Sequence, residues 1–317
     1  MEIIDCNLCG SGHSRFLYKK ADEHFFPDDY FSVVECLDCG LGYVNPRPKT
    51  EEMKKYYPNE FYSLLQKREE SDRNRFLAQS QYLALRLSGG RQHRLLDIGS
   101  ANGGFLEFMH DLDWEVEGVE PFASLPSHRP FKIYRCQFPD VPVNEPSYDA
   151  VTAWAVLEHV HDPKAYFEKA SRVIVSGGVF VFMVPNFSSL ISRRLFGEDV
   201  PRHLYFFTEE NIRRYSQEAG FAVEEVDYKN PIFSWNPNRW LHYLIARVLG
   251  RPFTWPINRS YSDFLKANQL KRGIASALGF AFRHPVSFAD SAMAPLLGRI
   301  ERMLGRYGIV VYVARKR

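Results

Sequence analysis

At 317 residues, with 45% hydrophobic content and a net charge of +2, the chain is long enough for one main domain of about 150 to 250 residues plus accessories, and its composition argues against a disordered or collagenous protein. No apolar run approaches the ~20 residues that a membrane span requires, and Met1-Glu2 followed by Asp5 does not read as a secretory leader, so the expected compartment is the cytoplasm, with a membrane-peripheral place left open. The small net charge hides an asymmetry: Lys229 to Arg317 holds 15 Lys and Arg against only Asp263, Asp290 and Glu301, a local charge near +12 that favours an anionic partner.

Residues 1–47 read as a zinc-binding module. Cys6 and Cys9 form one CxxC pair and Cys36 and Cys39 a second. Tetrahedral Zn²⁺ takes four thiolates, and each CxxC turn presents two of them together. Gly10 and Gly40 follow the pairs and suit the tight turns that aim backbone N–H groups at the sulfurs. Four protein ligands leave no open position for chemistry, so the expected role is structural. Residues 48–90 then read as a helical linker or lid, entered through the Pro-punctuated "NPRPKTEEMKKYYPNEFY".

From His93 the pattern alternates. Short β-rich runs at 93–98, 115–120, 131–135, 148–154, 178–184 and 221–227 interleave with helices opened after Asn102, Asp162 and Thr208, which predicts a parallel sheet covered on both faces. Asp162 is the expected N-cap of one helix, with Pro163 in its first turn, while Thr208 caps another that Gly220 ends. Residues 91–230 together with 306–317, where "YGIVVYVARKR" reads as a last strand, make up this domain. Residues 231–305 read as a basic, amphipathic helical insertion.

The loop Asp97-Ile98-Gly99-Ser100-Ala101-Asn102-Gly103-Gly104 is one substitution from a dinucleotide fingerprint. Asp97 is what discriminates. A carboxylate at a strand end is costly to bury unless it meets a cation, and the ammonium of an amino-acid-like ligand answers that need. Glu120 ends the next strand, where a carboxylate can accept both ribose hydroxyls. An amino acid joined to a nucleoside has no pyrophosphate to press on the backbone, so Ala101 is tolerable and is expected at negative φ.

The strand ending near Ala153-Trp154 opens into the ligand crevice of such a sheet and sets Glu158 and His159 beside it. His203, flanked by Arg202 and Tyr205, lies in a loop after the fifth strand and is the leading general base, with His159 and Tyr205 as substitutes. Packing among aromatics is an equally good reading of that histidine. Cys136 reads as a buried small hydrophobe.

Taken together, Asp97-x-Gly99 with Gly103, Glu120, "YDAV…VLEHVHDP", "SGGVFVFMVPN" and "RHLYFFTEENIRRYSQEAGF" resemble the class I S-adenosylmethionine-dependent methyltransferases. More narrowly they resemble bacterial members with an N-terminal zinc-binding segment that act on sugars and small biosynthetic intermediates. The resemblance implies a Rossmann-like, seven-stranded, mostly parallel sheet in 3-2-1-4-5-7-6 order, with S-adenosylmethionine and a structural Zn²⁺ as cofactors. It implies that Asp97, Gly99, Ser100, Ala101 and Gly103 surround the methionine part, that Glu120 holds the ribose, that Pro121 and Gln137 lie near adenine, and that Trp154 lies under the methionine. Relatives that methylate sugar carbon carry a Glu-His pair after the fifth strand. Here the matching place is Arg202-His203, with the histidine kept and the acid lost, which favours methylation of oxygen.

The expected reaction is methyl transfer to a hydroxyl of a sugar, glycan or lipid-linked intermediate. The expected partner is that small acceptor rather than a nucleic acid, with a monomer or a homodimer both open. The insertion at 231–305 is expected to pack on the core and cover substrate, to join two copies, or to rest on an anionic membrane or a lipid-linked substrate. Two other readings stay open: a zinc-ribbon RNA methyltransferase whose basic tail neutralises phosphates, and a non-catalytic binding protein on the same fold.

Overall fold

The computed structural model describes residues 1–22, 25–58, 72–87, 92–122, 129–193, 199–232, 240–250 and 274–317. The parts of the expected linker at 59–71 and 88–91, and of the expected insertion at 233–239 and 251–273, lie outside them. Two compact units are distinguished: Met1–Pro185 with Asp199–Phe233 and Ile309–Arg317, and Asn186–Glu198 with Ser234–Gly308.

Within the first unit the chain opens with β1 (Ser14–Asp22), β2 (Phe26–Cys36) and β3 (Gly42–Val44), passes a tight 3₁₀ turn at Met53–Tyr56, and forms helix α1 (Arg73–Ala84). It continues as β4 (Arg94–Ile98), α2 (Gly104–His110), β5 (Glu115–Val119), β6 (Lys132–Tyr134), β7 (Tyr148–Trp154), α3 (Pro163–Val173) and β8 (Ile174–Pro185). After α4 (Leu190–Arg193) in the second unit come β9 (Tyr205–Phe206), α5 (Glu209–Glu218) and β10 (Phe221–Asp227). The second unit resumes with α6 (Trp240–Val248), α7 (Ile274–Arg283) and α8 (Pro285–Met303), and β11 (Ile309–Lys316) closes the first.

The larger sheet runs β10-β11-β8-β7-β4-β5-β6. Its β4, β5, β6, β7 and β8 pair in parallel, while β11 lies antiparallel between β8 and β10. This is the 3-2-1-4-5-7-6 order the resemblance implied. Parallel strands covered by helices on both faces lose water on both faces, so they read as near-continuous apolar runs. β7 is buried at every position except its last, Trp154. Its one charged residue, Asp149, lies near the start of the strand and accepts the Arg94 backbone N–H at 2.9 Å.

The caps follow from the sequence chemistry. Asp162 accepts the Ala165 N–H at 3.1 Å, and Pro163 starts α3, where a missing N–H costs nothing. Thr208 and Asn211 form a reciprocal capping box at α5, and Gly220 at φ +84 ends it. The faces of α3 and α5 meet the sheet through Phe167, which stacks on Tyr215 with centroids 5.3 Å apart and meets Phe180 and Phe182 edge-on.

A second, four-stranded antiparallel sheet runs β1-β2-β3-β9. Its last strand is donated from far along the chain: Tyr43 pairs with Tyr205 and Gly42 with Phe206. The cysteine-bearing segment is thereby joined by backbone hydrogen bonds to the segment that carries His203.

Candidate active site

β4 delivers Asp97 to the carboxyl end of the large sheet, where it is 3% exposed and accepts a 2.6 Å hydrogen bond from Thr152 Oγ1 on β7. Burial pushes this carboxyl up to about 7, with the Thr152 hydrogen bond pulling down and the charge of Glu120 adding to the rise. Burial therefore opposes ionisation of this carboxyl, a cost that a bound cation would offset.

The glycine loop follows directly. Gly99 and Ser100 donate their N–H groups to the Val119 carbonyl at 2.8 and 3.2 Å, and Ala101 donates to Glu120 Oε2 at 3.0 Å. The other carboxylate oxygen of Glu120 accepts the Phe122 N–H at 3.0 Å. Gly99 sits at φ +71, and a Cβ there would meet Val156 Cγ2 at 2.5 Å, so no other residue fits.

The expectation of a negative φ at Ala101 is corrected: it lies at +47, in the left-handed region, together with Gly99 and Gly103. The cause is non-local. To bring three successive N–H groups onto Val119 and Glu120, the turn must pass through Ala101. An alanine held there costs roughly 1 kcal/mol relative to glycine. Ala101→Gly is therefore expected to raise the unfolding free energy by about 1 kcal/mol in urea titration, and a lower midpoint would show that the loop is not strained.

Trp154, half-buried at the end of β7, meets Phe105 edge-on at 5.9 Å. Pro121 follows β5 and is half-buried, and Gln137 accepts the Tyr166 hydroxyl at 2.6 Å. Cys136 is half-buried rather than buried, and desolvation raises its thiol.

Three residues meet across two loops. Glu158, His159 and His203 bring a carboxylate oxygen and ring nitrogens within 4.8 Å of one another, and the two imidazoles lie 4.7 Å apart, edge to face. The carbonyl of Glu158 accepts the N–H groups of Leu204 and Tyr205 at 2.7 and 3.3 Å, which pins the His203 segment to the loop after β7. His159 Nδ1 lies 3.0 Å from the Arg202 carbonyl and 3.2 Å from the Tyr57 hydroxyl. Burial, with the neighbouring His203, holds His159 down at about 3.

The neighbours of His203 serve the fold. Arg202 is buried, and its guanidinium binds both oxygens of Asp22 at 2.7 and 3.2 Å, Asp199 at 2.5 Å and the Tyr56 carbonyl at 3.1 Å. Against the burial that raises it, this hydrogen bonding holds Asp199 down at about 2. Tyr205 turns its hydroxyl to the His161 carbonyl at 3.1 Å and receives Arg47 Nη1 at 2.8 Å. With both capacities engaged, it is a structural tyrosine rather than a substitute base. Sequence reasoning missed Glu158 as the acid beside His203, though "LEH" displays it, and missed Asp22 as the partner of Arg202, though it stands in the acidic "ADEHFFPDD".

In the first unit, Cys6, Cys9, Cys36 and Cys39 gather their sulfurs within 4.8 Å of one another. Backbone N–H groups of Leu8 and Cys9 aim at the Cys6 sulfur, those of Asp38 and Cys39 at Cys36, and that of Leu41 at Cys39. Gly10 and Gly40 take φ +75 and +70, as such paired turns require. Four thiols in two N–H-lined turns match the donor set and spacing of a tetrahedral soft-metal site.

A family model for a methyltransferase domain matches residues 67–226, about half of the chain. This chain belongs to the methyltransferase-domain family. Its fold is that of the class I S-adenosylmethionine-dependent methyltransferases. The chain is 28% identical over 120 residues to a ubiquinone biosynthesis O-methyltransferase of Alkalilimnicola ehrlichii, an alignment covering 33% of this chain and 47% of that relative. It therefore spans about half the length of that curated protein. Among solved structures, a SAM-dependent methyltransferase from Archaeoglobus fulgidus superposes with a TM-score of 0.50 at 15% identity, covering 81% of this chain and all of the other. A chain from the complex between the Haloferax volcanii Trm112 methyltransferase activator and a methyltransferase superposes with the same TM-score of 0.50 at 13% identity, covering 80% of this chain and 95% of that one. At these identities the likeness is one of fold.

Proposed function

We propose that this methyltransferase-family chain transfers a methyl group from S-adenosylmethionine to a hydroxyl of a small acceptor, a sugar, glycan or lipid-linked intermediate, with His203 as general base. The observation that carries the reading is the pair of carboxylates at neighbouring strand ends: Asp97, buried and raised to about 7, and Glu120, half-buried and pinned by two backbone N–H groups. Their chemistry fits an amino acid's ammonium on one side and a ribose diol on the other. Asp97 would hold the ammonium, Glu120 the ribose, Gly99, Ser100, Ala101 and Gly103 the backbone around the methionine part, Pro121 and Gln137 the adenine, and Trp154 the underside of the methionine. When bound, the cofactor supplies a sulfonium-borne methyl that needs little activation.

What remains for the protein is alignment and proton removal. His203 would take the acceptor's proton, and the Glu158 carboxylate beside it would stabilise the imidazolium that results. His159 is the weaker candidate, because a group held near 3 does not retain a proton at neutral pH. The nearby Glu158 also supplies an acid that the Arg202-His203 pair lacks, so the argument for oxygen over carbon rests less on a missing carboxylate than the sequence suggested. Cys6, Cys9, Cys36 and Cys39 would hold one structural zinc ion.

His203→Ala is expected to lower methyl transfer by about 100- to 10,000-fold while leaving cofactor affinity within about twofold, as removal of a general base does. The measurement is incorporation of label from methyl-labelled S-adenosylmethionine into small molecules of a bacterial extract, alongside a binding titration. Full transfer by the variant would remove His203 from the reaction.

A further inference from the structure

The second unit turns its polarity inside out. Along α8 the buried positions are Ser287, Asp290, Ala294, Gly298 and Glu301, recurring every three or four residues on one face. The opposite face carries Phe288, Met293, Leu296, Ile300 and Met303, all exposed, Met303 at 83%. A helix of a water-soluble domain does the reverse. The buried acids are engaged in capping: Asp290 accepts the Leu241 N–H of α6 at 2.7 Å, and Glu301 accepts the Leu190 N–H at the start of α4 at 2.7 Å. Their interior position is thus a designed use of charge at helix starts, and it leaves the large apolar side chains outside.

The neighbouring helices repeat the pattern, with Val248 at the end of α6 85% exposed and Phe282 at the end of α7 89% exposed. Twelve of the 21 exposed large apolar residues among the described ones fall in this unit. That concentration exceeds the scattered exposure of an ordinary surface. The exposed charge beside it has one sign: Arg247, Arg283, Arg299 and Arg306 are exposed, while Asp290 and Glu301, the only acids among this unit's described residues, are buried.

We infer that the exposed face of α8, with the exposed residues of α6 and α7, is a docking surface for the anionic headgroup region of a lipid bilayer. An apolar stripe on a 19-residue helix, about 28 Å long, flanked by arginines, matches an interface where hydrocarbon lies beneath negative headgroups. A second copy of the chain is the poorer occupant: this surface against itself would set arginine against arginine, with no exposed acid among this unit's described residues. Among the described residues no helix is long and apolar enough to cross a membrane, so the contact is one of lying on the surface. The inference holds whatever the acceptor of the methyl group is.

The test is flotation of the full chain with vesicles of equal parts phosphatidylglycerol and phosphatidylcholine, and with vesicles of phosphatidylcholine alone, together with sedimentation equilibrium without lipid. The expected result is co-flotation with the anionic vesicles that weakens as salt screens the charges, and little with the neutral ones. Arg247→Gln, Arg283→Gln and Arg299→Gln together should weaken partitioning by about 100-fold, roughly fivefold for each arginine. Leu296→Gln, Ile300→Gln and Met303→Gln together should weaken it by at least about tenfold without moving the thermal midpoint, because these side chains are outside the core. No binding to anionic vesicles by the wild type would overturn the inference. So would a dimer that the apolar variant dissociates, in a protein that ignores lipid.

Discussion

Asp97→Asn is expected to weaken S-adenosylmethionine binding by at least about thirtyfold while making the ligand-free protein more stable at pH 8. The first effect follows from removing one member of a buried charge pair, which leaves the ligand's ammonium without its counter-charge and costs about 2–5 kcal/mol. The second follows from linkage. The carboxyl's pKa is about 7 in the folded chain against 3.8 as its ordinary value, so the folded state binds the proton more tightly. Asp97 therefore does no harm below about pH 4, where it is protonated in both states. As pH rises from about 4 to 7 the unfolded chain gives up this proton and the fold does not, so stability falls, and above about 7 the full cost of the desolvated carboxylate is carried. Asparagine keeps the hydrogen bond from Thr152 but never ionises. The stability of the variant relative to wild type should thus be greater at pH 8 than at pH 5 by on the order of 2 kcal/mol in denaturant titrations. An identical pH dependence in the two proteins would mean that Asp97 is ionised at ordinary cost, and the argument for a cationic ligand would lose its basis.

The cysteine site has the other large effect. The purified chain is expected to carry one zinc ion, and Cys36→Ser to lose it and lower the thermal midpoint by 10 °C or more, since a structural zinc site contributes on the order of 10 kcal/mol. The consequence should reach beyond the module. β3 pairs with β9, and Arg202 reaches from the His203 segment to Asp22 on β1. Loosening this sheet frees the segment on which His203 stands, so methyl transfer should fall with the metal content even though no cysteine approaches the two histidines. Metal analysis with a matched activity series in a chelator measures both; a metal-free protein with an unchanged midpoint would show that the four thiols need no ion.

The sheet was legible because its physics is local. Strands buried on both faces read as unbroken apolar runs, and Asp162, Thr208 and Gly220 each mark a helix end through side-chain chemistry written in adjacent residues. The antiparallel sheet around the cysteines was not legible as such. Its two long strands are partly polar, and its last strand is two residues taken from more than 160 positions downstream. The glycine loop shows the same division. That a tight turn stood there was plain, but which residue takes the left-handed conformation is decided by Val119 and Glu120 on another strand.

The site divides likewise. Asp97, Glu120 and the two histidines could be singled out by residue type beside a strand end, whereas Glu158 gains its meaning only when the loop after β7 binds the segment before β9. In α8 the sequence displayed apolar residues and arginines, and a soluble helix would have hidden the former. The buried caps made by Asp290 and Glu301 reverse that choice, and no periodicity announces where a carboxylate will find a helix start.

Calorimetric titration of the full wild-type chain with S-adenosylmethionine, and separately with NAD, tests the central claim most directly, because both ligands offer a ribose to Glu120 and only one offers an ammonium to Asp97. The expected result is saturable one-to-one binding of S-adenosylmethionine, with proton release near pH 7 as Asp97 ionises, and no binding of NAD. Binding of NAD with none of S-adenosylmethionine would contradict it.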